Sequence, residues 1–98
     1  MASIKNLKKD IDLIMSLALG DCFYVLEYNS KIDEEAVYKI AGEIVQAHRE
    51  LRLRAMHPDG KDNPSVVRKY YKGLVNDMLT AADAALEKLS AEVKKVAV

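Results

Sequence analysis

The sequence predicts an all-α fold, an antiparallel bundle of three long helices, and three observations carry that expectation. Apolar residues recur at intervals of three and four along nearly all of the 98 residues. Both prolines, Pro58 and Pro64, fall in one stretch, and a weaker turn signal sits at Asn29-Ser30-Lys31. No alternating strand pattern, internal repeat or low-complexity tract occurs. Short connections between long helices make neighbours antiparallel, so one helical domain over 1–98 is expected.

The first helix is expected over about 3–28, with Ser3 as its N-cap and Ile4, Leu7, Ile11, Ile14, Ala18, Cys22 and Val25 as its inner stripe. Gly20 is a candidate break, because a mid-helix glycine costs about 1 kcal/mol against alanine. The second helix is expected over 33–56, opened by a capping pair of Ser30 and Asp33 and by Glu34 and Glu35 in the first turn. Its stripe is Val37, Ile40, Ala41, Ile44, His48, Leu51 and Ala55, and Pro58 disfavours helix at His57. A loop over 57–63 follows. The third helix, 64–96, starts with Asn63 as N-cap and Pro64 at the first helical position. Val67, Tyr71, Leu74, Met78, Ala82, Ala85, Leu89 and Val93 form its stripe, and the Ala81–Ala85 stretch lets a neighbouring helix come close.

The first helix carries more apolar surface than two neighbours can cover. From Ile11 to Tyr28, thirteen of eighteen residues are apolar, and Leu13, Leu17 and Tyr24 lie off the inner stripe. Either the chain breaks at Gly20 and folds back, or a second subunit covers the remainder. A 26-residue helix is about 39 Å long, and a compact chain of this size has a radius of gyration near 13 Å. The mismatch favours a bundle completed by homodimerisation.

Composition narrows the function classes. Fifteen basic side chains balance fifteen acidic ones, which removes a global argument for nucleic acid or an anionic membrane. The single cysteine, Cys22, allows neither an internal disulfide nor a cysteine zinc site. No apolar run approaches a membrane span and the N-terminus does not read as a secretory leader, so a cytoplasmic protein with no membrane contact is expected. No phosphate loop, nucleophile elbow or metalloprotease motif occurs, and no cofactor is implied. His48 reads as a satisfied core or interface histidine, and Asp59-Gly60-Lys61-Asp62-Asn63 as turn chemistry.

Neutrality conceals a polarity. Between Arg49 and Lys72 seven bases face three acids, a net of +4, while five acids and two bases between Glu27 and Glu43 give −3. Antiparallel helices gather the basic charges at one pole. Helix-dipole compensation explains Arg52 and Arg54 at a C-terminus, but not Arg68, Lys69 and Lys72 near an N-terminus, where cations are disfavoured. Pairing with Asp59 and Asp62, or an anionic partner, would account for them.

Two local resemblances meet at His57. His57-Pro58-Asp59 between two helices resembles the signature loop of J-domain co-chaperones, with Ala47-His48-Arg49-Glu50-Leu51 similar to that family's second helix. The resemblance implies an Hsp70 partner engaged through His57, Pro58 and Asp59 and through a basic face of Arg49, Arg52 and Arg54. The chain departs from it in a longer first helix, and in Tyr71 where the family has phenylalanine. Arg52-x4-His57 resembles the motif of HEPN ribonucleases and implies a histidine acting on a 2′-hydroxyl beside a phosphate-holding arginine. Ile4-Lys5-Asn6-Leu7-Lys8-Lys9-Asp10-Ile11 resembles the opening of a family of short helical bacterial proteins, a resemblance that brings no activity with it. The expectation is a non-enzymatic homodimeric interaction protein. Its candidate binding residues are Arg49, Arg52, Arg54, His57, Asp59, Arg68, Lys69 and Lys72, open to a protein or anionic partner.

Overall fold

A computed structural model describes residues 4–57 and 63–97. Three helices, α1 (Ile4–Tyr28), α2 (Glu34–Met56) and α3 (Pro64–Val96), pack against one another, and no strand occurs among the described residues. The expected bounds hold to within a residue. Ser3 and the loop residues 58–62 lie outside the described residues.

Each described cap has a local cause. Asp33 alone opens α2: its carboxylate accepts from the Ala36 amide at 3.2 Å, so the expected partnership with Ser30 is not what caps this helix. Asn63 opens α3 by accepting from the Ser65 and Val66 amides at 3.1 and 3.4 Å. Pro64, which has no amide hydrogen to leave unpaired, takes the first helical position.

α1 runs unbroken through Gly20. The argument from length therefore has a different outcome. The molecule is a rod of 54 × 20 × 17 Å with a radius of gyration of 15.8 Å, and a long helix fits because its neighbours are equally long. Helix length by itself does not call for a second subunit.

The core lies along the rod axis. Leu7, Ile11, Met15, Ala18, Cys22 and Val25 from α1 meet Val37, Ile40, Ala41, Ile44, Leu51 and Ala55 from α2 and Leu74, Met78, Ala82, Ala85 and Leu89 from α3. Burying a side chain the size of Ile11 or Leu74, both at 0% exposure, stabilises the fold by about 1.5–3 kcal/mol. Met15 and Ile32 join this core beyond the expected stripes, while Ile14, Tyr71 and Val93 pack at its edge. Alanines at 41, 55, 82 and 85 bring the helices close without leaving a buried polar group. Ion pairs fix which residues lie level. Glu43 meets Lys88 at 2.8 Å and Arg54 meets Asp77 at 2.9 Å, while the Tyr71 hydroxyl donates to the Ala55 carbonyl at 3.2 Å. The end of α2 thus lies beside the early part of α3.

Cys22 is fully buried, and burial, with Asp21 adding to it, raises its thiol pKa. A raised folded pKa means that stability present below the unfolded thiol's pKa is lost as pH rises through and beyond it. Native protein is expected to resist a thiol reagent at pH 8 and to react once denatured. Stability is expected to fall as the pH is raised above about 9. Rapid labelling of the native chain would contradict this burial.

Candidate functional site

The expected basic residues divide into two groups by their surroundings. Arg52 and Arg54 are engaged. Arg52 lies 3.5 Å from the Asp12 carboxylate of α1, and that same oxygen sits 2.6 Å from His48 Nε2. Arg54 pairs with Asp77 and lies 5.9 Å over the Tyr70 ring. Burial would lower its pKa, but hydrogen bonds to Asp77 and Tyr70 outweigh burial and raise it. His48 is thus a half-buried partner of Asp12. Among the described residues no group of three or more His, Cys, Asp or Glu side chains is placed to hold a metal ion.

Arg49, Arg68, Lys69 and Lys72 are exposed and have no acidic partner among the described residues. The last three lie on the early part of α3, which buries no side chain before Leu74, though Tyr71 packs at the edge of the core. His57 is exposed and ends α2, its amide bonded to the Leu53 carbonyl at 3.2 Å. Asp59, and with it the rest of the His57-Pro58-Asp59 loop, lies outside the described residues, as does Asp62. Arg52 and His57 are five residues apart, about 140° around an ideal helix. Arg52 is directed at α1 rather than gathered with His57.

The unexpected feature is the outer face of α1 and the flank of α2 beside it. Leu13, Leu17, Phe23, Tyr24 and Tyr28 are 54–65% exposed. Asp12 marks the side of α1 that meets α2, and Phe23, eleven residues on, returns to that side after about three turns. His48 and Arg52 mark the side of α2 that meets α1. Val45 and Tyr38, seven and fourteen residues before Arg52, return to it at 47% and 57% exposure. Phe23, Val45 and Tyr38 therefore flank the groove between α1 and α2, whereas Leu13, Leu17, Tyr24 and Tyr28 lie about 100–160° round α1 from Asp12 and form its outer face, with Tyr24 bordering the groove to α3.

Gly20 and Gly42 are exposed on the outer sides of their helices. A Cβ added at Gly20 or at Gly42 would meet nothing within 4 Å. Each costs about 1 kcal/mol of helix stability against alanine, and no contact within the chain uses the space. Asp12 spans His48 and Arg52, so Gly20, eight residues along α1, is level with the neighbourhood of Gly42, eight before their midpoint. Sequence reading singled out Leu13, Leu17 and Tyr24 but took Gly20 for a possible break and left Phe23, Tyr38, Val45 and Gly42 aside.

Two apolar grooves between the helices gather no convergent polar groups. One, lined by Met15, Ile44, Ala47 and Ala85, is bridged by the Glu43–Lys88 pair. The other lies between Tyr24 and Val25 of α1 and Leu86, Leu89 and Val93 of α3. Comparison with known proteins gives no match to a protein-family model, a curated protein or a solved structure. No helix among the described residues is long and apolar enough to cross a membrane.

The register of α1 on α2 rests on Asp12. An Asp12→Ala variant removes the partner of both His48 and Arg52 and is expected to cost about 1 kcal/mol, discounted for the exposure of both pairs. The melting temperature should drop by about 4–8 °C. An unchanged melting temperature would contradict the pairing.

Proposed function

We propose that this protein is a non-enzymatic helical interaction module, an antiparallel three-helix unit that works as a homodimer through the outer apolar face of α1. The observation that carries the reading is the exposure of Leu13, Leu17, Tyr24 and Tyr28 along one side of α1, each 58–65% exposed. At about 200 Å² per side chain of this size, the exposed fractions leave about 500 Å² of apolar surface on this face, in the range of the largest patch on a monomer. A second copy of the chain supplies a surface of matching size. The order of the contacts, Glu43 with Lys88 and Arg54 with Asp77, supports antiparallel α2 and α3.

A second reading adds an anionic partner at the basic pole. It is favoured by Arg68, Lys69 and Lys72, exposed on the tip of α3 in its first turns, where the helix dipole disfavours cations. An Hsp70 or an RNA, the partners the local resemblances imply, would both meet this pole.

Light scattering of the purified chain is expected to give about twice the 11.0 kDa chain mass. Leu17 is 59% exposed, so Leu17→Glu should change the unfolding free energy by less than about 0.5 kcal/mol while returning the mass to that of one chain. A wild-type monomer at millimolar concentration, or a Leu17→Glu variant that still dimerises, would overturn the reading.

A further inference from the structure

The outer apolar face of α1 does not end at that helix. The groove between α1 and α3 is lined by Tyr24 and Val25 on one side and by Leu86, Leu89 and Val93 on the other, and Asp21 is the one charged side chain among the described residues that line it. Met15 of α1 borders Ala81 and Ala85 of α3, and Tyr24, nine residues on, borders Leu86 and Leu89. The two helices therefore keep the same order along the groove. Leu17 stands seven residues, about two turns, before Tyr24, and Leu79 stands seven before Leu86. Each pair shares one side of its helix, so Leu17 and Leu79 continue the two rims that Tyr24 and Leu86 begin. Leu79 is 47% and Leu86 38% exposed.

From this placement we infer that the homodimer interface spans α1 and α3: the second copy docks over the α1–α3 groove, with Leu79 and Leu86 forming a second wall beside Leu17 and Tyr24. The inference rests on the homodimer reading and adds α3 to a surface which that reading draws from α1 alone. Area carries the choice. The outer face of α1 offers about 500 Å², less than the roughly 600 Å² per partner at which specific, stable interfaces begin. At the same area per side chain, the exposed fractions of Leu79 and Leu86 bring the surface to about 650 Å². That exceeds the largest apolar patch of a typical monomer, about 300–600 Å², and enters the range of one partner's share of a standard interface. The other neighbour of α1 is a poorer continuation. Phe23, Val45 and Tyr38 flank the α1–α2 groove, but Asp12, His48 and Arg52 bridge it, and Arg49 stands exposed four residues after Val45. Charged groups are depleted from the centre of specific interfaces, because burying them costs solvation. A helix of the second copy laid over the α1–α3 groove meets two helices at once, the arrangement of a four-helix bundle.

The test places a glutamate on either side of α1: Leu79→Glu and Leu86→Glu on the α3 wall, and Val45→Glu on the α2 side. Val45 and Leu79 are equally exposed, at 47%, so these two substitutions disturb the monomer alike. In analytical ultracentrifugation, Leu79→Glu and Leu86→Glu are expected to weaken dimerisation by at least about tenfold, and Val45→Glu by less than about twofold. Hydroxyl-radical footprinting of the wild-type chain needs no variant to fold. Tyr24, Leu79 and Leu86 are expected to be oxidised severalfold faster when the dimer is diluted to monomer, with Phe23 and Val45 unchanged. Folded Leu79→Glu and Leu86→Glu variants that dimerise like wild type, a folded Val45→Glu variant that is monomeric, or footprints at Leu79 and Leu86 that do not change on dilution would each overturn the α3 wall. The homodimer reading would survive all of these, because it falls only if wild type itself is a monomer.

Discussion

A helix packed against two others can hide about two-thirds of its circumference, and α1 is apolar over more than that. This limit organises the rest of the molecule. The side of α1 that carries Leu7, Ile11, Met15, Ala18, Cys22 and Val25 is consumed by the core. The opposite side keeps Leu13, Leu17, Tyr24 and Tyr28 in solvent. Neither α2 nor α3 can rotate to cover them without exposing its own buried stripe. The fold is complete as a rod, yet its first helix is not fully used by it.

The exposed bases lie elsewhere. Arg68, Lys69 and Lys72 stand on α3 ahead of its first buried residue, Leu74. Self-association and a second, anionic contact would then occupy different parts of the molecule.

Much of the fold was legible in the sequence because the signals were local. Pro58 and Asn63-Pro64 punctuate the chain, and the three- and four-residue spacing of α2 and α3 names nearly all of their buried residues. Met15 escaped because Ile14 fits the same spacing one position earlier, and only packing decides between them. The choice of Asp33 over Ser30 as the cap depends on where the turn ends, which a capping pattern gives only to within a residue or two. Gly20 was weighed as a break on its propensity alone, but one glycine in 25 residues is outweighed by packing on both sides. The candidate site was less legible. Thirty-six residues separate His48 from Asp12, and no local pattern reveals a pair so distant. Without that pair α1 has no register on α2, and Phe23, Val45 and Tyr38 are not seen to flank one groove. The polarity of the chain was visible from residue counts. Which of those charges pair within the fold was not, because that requires knowing how the helices are turned.

The most direct test of the account is whether two copies of the chain meet. A spin label at Asp10→Cys, with the buried Cys22 replaced by alanine, sits on an exposed position of α1. Pulsed dipolar spectroscopy is expected to show coupling between the labels of two chains, lost in the Leu17→Glu variant. The absence of any dipolar coupling at concentrations where the chain is pure and folded would contradict the dimer.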